Sequence, residues 1–273
     1  MQEEAILFER RGPVAVLTLN RPETRNALSG EDMFSAFETL FARLNDDATV
    51  RAAVLTGAGS AFCSGGNIAE MRSRSGMFAG SAAEITERYR QGIQRIPRAF
   101  QKLQVPIVAA VNGAAIGAGC DLASMCDIRI ASRSARFAES FVKVGIVPGD
   151  GGCWLLPRIV GPSRAAELAL TGDTIDAAEA ERIGLVSRVV EPEALMDEAL
   201  ALAQRIAANP PQVLRWTKQL LRQAQTGTLD EALEQAGRLQ GLAHHTADHA
   251  EAVAAFFEKR APVFGKNLGE GGA

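Results

Sequence analysis

The sequence predicts an α/β domain that ends in an all-helical segment, on three observations. Short apolar runs of strand length alternate with stretches of helical period as far as residue 192. Two of these runs, AVLTGAGSAFCSGGNI at 53–68 and VAAVNGAAIGAGCDL at 108–122, share one plan: a buried strand, a loop of Gly, Ala and Ser, and a helix start. From about residue 193 the pattern is helical throughout. Strands alternating with helices indicate an α/β architecture, and the internal echo indicates stacked strand–helix units. The predicted division is a core over 1–192 and a helical module over 193–273.

Taken in order, residues 5–10 and 14–19 alternate or run apolar on either side of Gly12-Pro13 and read as two strands. Ser29 with Asp32 resembles a capping box ahead of the helical stretch FSAFETLFARL. Residues 50–56 read as a buried strand, and 69–80, which lack a period, as a mobile loop. Ser81 with Glu84 is a better capping box. It opens a helix expected to run toward Leu103 with a kink or break at Pro97. Residues 106–111 and 127–131 are further strands. Ser163, Asp176 and Glu191 open short helical stretches, with a strand at 184–190 between the last two. Thr228 with Glu231, and Thr246, start the last two helices, and the glycine-rich tail after Phe264 is expected to fray.

Composition narrows the function classes. The chain has 273 residues, 47% of them apolar and 22% charged, as expected of a soluble globular protein. A net charge of −3 supplies no field to recruit nucleic acid or an acidic membrane. No apolar run approaches the roughly 18 residues of a membrane span; VPIVAAVNGAAIGAG is interrupted by Asn112 and its glycines. The N-terminal MQEEAILFERRG has no signal core, so a cytoplasmic location is expected. Cys63, Cys120, Cys126 and Cys153 form no C-x-x-C pair and read as free thiols. His245 and His249 have the spacing of a metal pair but no further ligands nearby, so no metal is expected.

Several chemistries fail on their motifs. A dinucleotide fingerprint after residues 50–56 would take Gly57 and Gly59 but meets Phe62 at its third place. There is no phosphate-binding G-x-x-x-x-G-K-[ST], and no G-x-S-x-G elbow. The two small-residue loops remain. Each leads into a helix and exposes backbone N–H groups at its positive end. They could bind a developing oxyanion, or the glycines could serve only close strand–helix packing. In IVPGDGGCW, Asp150 is equally open: a helix N-cap, or a carboxylate aimed into a dry pocket.

SAFCSGGNIAEM and AAVNGAAIGAGCDLASMCDIRIAS, together with RPETRNALS, GIVPGDGGCWLLPRIVG and AFFEKRAPVF, resemble in order the signatures of the crotonase superfamily, the enoyl-CoA hydratase/isomerase family. That resemblance implies a crotonase-like spiral of repeated ββα units, followed by a helical C-terminal module that builds trimers or dimers of trimers. It implies an acyl-CoA thioester as substrate, coenzyme A entering as part of it, with no metal or redox cofactor. The thioester carbonyl would lie between the N–H groups of Gly66 and Ala118.

Asp121 holds the place of one hydratase glutamate, a methylene shorter, while the place of the other holds Phe141, in ARFAESFVKVG. Asp150 is the candidate replacement, one residue after the position, Gly149, where similar isomerases and dehalogenases carry an aspartate. Glu139 would need a one-residue shift to reach the site. Ser64, Gly66 and Ile68 are implied at the adenine, Asn67 among the other CoA contacts, and Arg25, Phe256 and Lys259 at the nucleotide end. Phe141 and Val147 are expected in the substrate site as apolar neighbours that raise a carboxylate's pKa by desolvation. Hydration of a 2-enoyl-CoA is the expected reaction. The alternatives are double-bond isomerisation on Asp121 and Asp150, nucleophilic attack by Asp150, and a non-catalytic acyl-CoA-binding subunit.

Overall fold

The computed structural model describes residues 4–265. β1 (Ile6–Arg11) and β2 (Val14–Leu19) form an antiparallel hairpin with Ile6 opposite Leu19. α1 (Glu31–Asp46) follows. Its apolar residues Phe34, Phe37, Phe41 and Leu44 fall three or four apart and, with Met33, are all buried. The expected Ser29/Asp32 box does not form. Gly30, at φ +86°, stands at the helix N-cap, and Asp32 pairs with the Arg21 guanidinium, a stronger partner than an amide.

A repeat then begins, each turn sending one strand to a large sheet and the next to a small one. The first turn is β3 (Ala52–Gly57) and β4 (Ala61–Cys63), followed by α2 (Ile68–Ser73), α3 (Ala82–Gln91) and α4 (Arg95–Lys102). The second is β5 (Ile107–Val111), β6 (Ala114–Ile116) and α5 (Ala118–Met125). The third is β7 (Ile128–Ser132), β8 (Arg136–Ala138), a 3-10 turn at Ser140–Val144, α6 (Gly152–Val160) and α7 (Pro162–Thr171). β9 (Ile175–Asp176), α8 (Ala177–Arg182) and β10 (Arg188–Val190) close it. The large sheet runs β1-β2-β3-β5-β7-β10, parallel except for the hairpin, and the small one β4-β6-β8-β9. This is the predicted spiral of ββα units.

The large sheet is buried on both faces with the period of two that a strand imposes. Ala15, Leu17, Ala53, Leu55, Ile107 and Ala109 face the core under α1 and α4. There Phe41 and Phe100 meet edge to face with ring centroids 4.7 Å apart. Val14, Val16, Ala52, Val54, Val108 and Ala110 face a second core. α9 (Leu195–Ala207) covers it with Leu195, Ala199, Leu200, Ala203 and Ala207. The stripe through Leu200 and Ala203 is therefore buried within its own chain and is not a surface left for assembly. The boundary expected at residue 192 precedes a helix that packs on the sheet. α10 (Pro211–Gln223), α11 (Leu229–His244) and α12 (Ala247–Glu258) continue outward.

Other expectations are adjusted. Residues 69–80 are not a loop throughout: α2 and a 3-10 turn at Gly76–Phe78 occupy most of the segment. The helix from Ser81 breaks at Gly92, not Pro97. A Cβ on Gly92 would lie 2.6 Å from the Arg88 carbonyl, while Pro97 sits in the first turn of α4, where no N–H is needed. The strand at 184–190 shortens to β10. The capping boxes of Ser81/Glu84 and Thr228/Glu231 form, and Asp176 and Thr246 cap their helices. Of the tail expected to fray after Phe264, Gly265 donates its N–H to Asp248 Oδ1 at 2.7 Å, and the rest lies outside the described residues. Among the described residues no helix is long and apolar enough to cross a membrane.

Candidate active site

The loops after β4 and β6 meet. Gly65, at φ +85°, lets them: a Cβ there would lie 2.4 Å from the Ile116 carbonyl oxygen and 3.2 Å from the Ala118 nitrogen. On the other side, the Leu28 N–H donates to the Gly65 carbonyl at 2.8 Å and the Ser64 N–H to that of Arg25 at 2.9 Å. Asn26, fully buried and left-handed at φ +59°, donates to the carbonyls of Ala58 and Ala61, both at 2.9 Å. The Gly66 N–H has no acceptor among the described residues. Ala118 is the first residue of α5, so no helix carbonyl reaches its N–H. Two unpaired donors thus come from adjacent loops. The packing role of the glycines is real as well, since a Cβ on Gly119 would lie 2.0 Å from the Cys63 carbonyl oxygen.

Beside these amides are three carboxyl groups out of water: Asp121, Glu139 and Asp150, with relative exposures of 0, 1 and 2%. Asp121 is in the first turn of α5, Glu139 follows β8, and Asp150 precedes α6. No hydroxyl reaches either oxygen of Asp121 or Glu139, or Oδ2 of Asp150, and the Gly152 amide, which favours the ionised form of Asp121, does not close a hydrogen bond to it. They meet one another instead: Asp121 touches Glu139 on one side and Asp150 on the other. Burial, and then the neighbouring carboxyls, push Asp121 and Asp150 well above the usual carboxylate range. Burial lifts Glu139 to about 7, although the Asp121 and Cys120 side chains that hydrogen-bond to it pull the other way.

Asp150 is not a cap. α6 starts at Gly152 behind Gly151, at φ +117°, and no side chain caps it. Gly152 also brings Asp121 close, because a Cβ there would lie 2.2 Å from Asp121 Oδ1. Glu139 needs no shift to enter the cluster, contrary to expectation. Its neighbour Ala138 accepts the Gly117 N–H at 2.7 Å, which lays Glu139 alongside the start of α5.

Apolar side chains enclose the space in front. Phe141 lies against Gly117, its Cζ 3.7 Å from where a Cβ would be. A Cβ on Gly66 would be 2.9 Å from Met71 Cε and 3.9 Å from Phe78 Cζ. Tyr89, the single tyrosine of the sequence, packs edge to face on Phe78 at 6.5 Å. Its ring occupies the place of a Gly149 side chain, 2.6 Å from an added Cβ. An aspartate at position 149 would collide with it, which accounts for the carboxylate at 150. Gln94 Nε2 holds the Gly149 carbonyl at 2.9 Å. Sequence reasoning missed Met71, Phe78, Tyr89 and Gln94. Met71 and Phe78 are in short elements within a stretch that lacks a period, while Tyr89 and Gln94 fall in the helical stretch expected from Ser81, where nothing in the sequence shows that they face the site.

The positions implied for the nucleotide separate into two groups. Arg25, left-handed at φ +54°, is exposed next to Ser64, and its guanidinium has no ion-pair partner among the described residues. The Ser64 hydroxyl donates to the Thr24 carbonyl at 3.0 Å. Asn67 is occupied: its Oδ1 accepts the Ala69 and Glu70 N–H groups and caps α2, leaving no side-chain oxygen for a ligand. Ile68 and Val147 are exposed. Phe256, 79% exposed, and Lys259 are on the last helix. The segment that follows is tied to Arg51 by the Phe264 carbonyl, at the start of β3; the site loop follows the strand's other end. One chain does not bring Phe256 and Lys259 to Gly66.

Comparison with known proteins agrees with this geometry. The family model described as enoyl-CoA hydratase/isomerase matches residues 9–267. A short-chain-enoyl-CoA hydratase of Clostridium acetobutylicum is 38% identical over 95% of this chain and 97% of its own. A 1,2-epoxyphenylacetyl-CoA isomerase of Escherichia coli is 40% identical over 96% of this chain and 98% of its own. The crystal structure of an enoyl-CoA hydratase from Mycobacterium smegmatis superposes with a TM-score of 0.88 at 37% identity, over 96% of this chain and 99% of that one. The chain belongs to the enoyl-CoA hydratase/isomerase family.

Proposed function

We propose that this enzyme adds water to the double bond of a 2-enoyl-CoA thioester. The observation that carries the proposal is the convergence of two unpaired amides, Gly66 and Ala118, beside buried carboxyls that can hold and release a proton. The thioester oxygen accepts both amides, which form an oxyanion hole for the enolate as it develops; one such donor is typically worth about 3–4 kcal/mol of barrier. Carboxyls in contact do not all ionise together. An ionised Asp150 takes the proton from the attacking water, and a protonated Asp121 delivers one to the α-carbon. Atoms balance as one water added. No electrons change hands, so the reaction calls for no redox cofactor, and the amides do the polarising that a metal would otherwise do.

One observation favours double-bond isomerisation as a second reading. Phe141 stands where a second glutamate would hold the water, and a relative 40% identical is an isomerase. Removal and return of one proton by Asp121 or Asp150 suffices for that reaction. Incubation with a panel of enoyl-CoA thioesters in heavy-oxygen water, read by mass spectrometry, separates the two. Oxygen incorporation indicates hydration, and rearrangement without it indicates isomerisation. A protein that binds thioesters and turns over none of them would be a binding subunit.

We infer further that the chain assembles as a trimer or dimer of trimers. Support comes from Leu229, Leu233, Leu242, Val253, Phe256 and Phe257, all exposed on α11 and α12. A neighbouring copy would then supply Phe256 and Lys259 to the nucleotide end, beside Arg25. A sedimentation velocity of a monomer at micromolar concentration would refute this. Four free cysteines support a reducing, cytoplasmic setting.

A further inference from the structure

We propose that Glu139 is a positioning residue of this reaction: it closes a buried row of three carboxyls, Asp150–Asp121–Glu139, and its charge keeps the reacting proton on Asp121 and fixes which Asp121 oxygen faces the thioester. The inference rests on the reading of Asp121 as the proton donor. Its geometric basis is independent of that reading. Glu139 is buried, and neither of its oxygens meets an N–H or hydroxyl. A buried carboxylate with no donor is expensive, costing several kcal/mol unless something shares a proton with it.

The strand register places it. Ile116 pairs with Ala138, so the residue after β8 lies beside the residue after β6, where α5 begins. Asp121 is one turn along that helix. The groups that face Glu139 are Asp121 and Cys120 from α5, Asp150 from the loop before α6, and Cys153 from α6 itself. None of these is a cation. Arg129, the nearest base to Cys120, spends its guanidinium on the carbonyls of Leu185 and Cys126. With Asp150 ionised as the base and Asp121 protonated, the groups beside Glu139 that carry a proton are the Asp121 carboxyl and the Cys120 thiol, and both can donate to it. Glu139 is the accepting end.

A proton delivered by Asp121 to substrate is thus replaced along the row from Asp150, which has just taken one from water. Glu139 neither gains nor loses a proton over the cycle. Its charge and its lone pairs set where the Asp121 proton sits.

The test is Glu139→Gln, which keeps an acceptor oxygen and removes the charge. With the thioester turned over best, KM should stay within about threefold, because no CoA contact is touched. The limb of the kcat/KM profile that belongs to Asp121 should move to lower pH by about one unit or more, the usual size of a like-charge effect. Glu139→Asp should restore most of the wild-type profile. A profile for Glu139→Gln that superposes on wild type overturns the proposal. So does a rate lost at every pH, which would make Glu139 itself a proton carrier. Asp121→Asn, measured alongside, tests the underlying reading: if it retains most of its turnover, that reading fails whatever Glu139→Gln does. Should Glu139→Gln not fold, the infrared spectrum of the wild-type protein carries the test. The carbonyl stretch of a protonated carboxyl must titrate away near neutral pH, and its absence overturns the proposal.

Discussion

Gly152→Ala asks whether the position of Asp121 matters. The added methyl would lie 2.2 Å from Asp121 Oδ1 and 2.8 Å from its Cγ. Unbonded heavy atoms rest about 3.5 Å apart, so the carboxyl must retreat by about 1.3 Å. A displacement of about 1 Å at a reacting group can cost about a hundredfold in rate. We expect kcat to fall about a hundredfold. KM should hardly change, because the CoA contacts lie on other loops. Stability should suffer less. Forcing a methyl into packed surroundings costs about 1–3 kcal/mol, offset by up to about 1 kcal/mol of helix propensity at the start of α6. The assay is steady-state kinetics with thermal unfolding on the same preparation. Gly145→Ala is the control: Gly145 is at φ +74° with no atom near an added methyl, so strain of about 1 kcal/mol should lower the melting temperature and leave kcat alone. A Gly152→Ala enzyme within about threefold of wild-type kcat, with Asp121 displaced, would refute the assignment of Asp121 to the chemistry.

Three further outcomes are expected. Asp150→Asn should lose about 10²–10⁴ in kcat with unchanged CoA affinity by calorimetry. Combining it with Asp121→Asn should cost much less than the product of the two, as residues acting in one sequence do. Stability should fall as pH rises from 5 to 8. Glu139 moves from an ordinary 4.5 to about 7, so in that window the folded chain holds more protons than the unfolded one. The loss from Glu139 is at most about 3 kcal/mol, Asp121 and Asp150 act in the same direction, and denaturant titrations should show a flatter dependence in Glu139→Gln. Lys218→Met should cost about 3 kcal/mol in urea unfolding. The buried Lys218 ammonium bonds Asp127 and the Val105 carbonyl, both at 2.6 Å, and its removal strips the Asp127 carboxylate of its closest partner.

The fold was legible where the signal was long or repeated. The echo between 53–68 and 108–122 marked two turns of the spiral, and the boxes at Ser81 and Thr228 marked helix starts, because each rests on chemistry within a few residues. What failed depended on neighbours far along the chain. Asp32 was drawn from its box by Arg21, across a turn. The break at Gly92 answers to the Arg88 carbonyl and to Phe34, on another helix. Leu200 and Ala203 are apolar whether they face a partner or their own sheet, and only the presence of Val54 and Val108 opposite decides it. In the site, Gly66, Ala118 and Asp121 came with their motifs. Glu139 was misjudged because its place depends on pairing with a distant strand: β8 stops at Ala138, whose register with Ile116 lays Glu139 beside the start of α5, and Phe141 in the following 3-10 turn lies against Gly117.

The cover that α9 lays over the second face of the large sheet constrains how the molecule can be made. Every strand of that sheet precedes Leu195 in the chain, so on a ribosome the sheet is complete before its lid exists. Val14, Val16, Ala52, Val54, Val108, Ala110 and Ile130 then present an apolar face to whatever is near. A stop codon in the turn at Pro192–Ala194 would leave that state permanent. Such a fragment would keep Gly66, Ala118, Asp121, Glu139 and Asp150 and still be expected to precipitate, because the helices it lacks include the thirteen-residue α9 that covers the far side of the sheet.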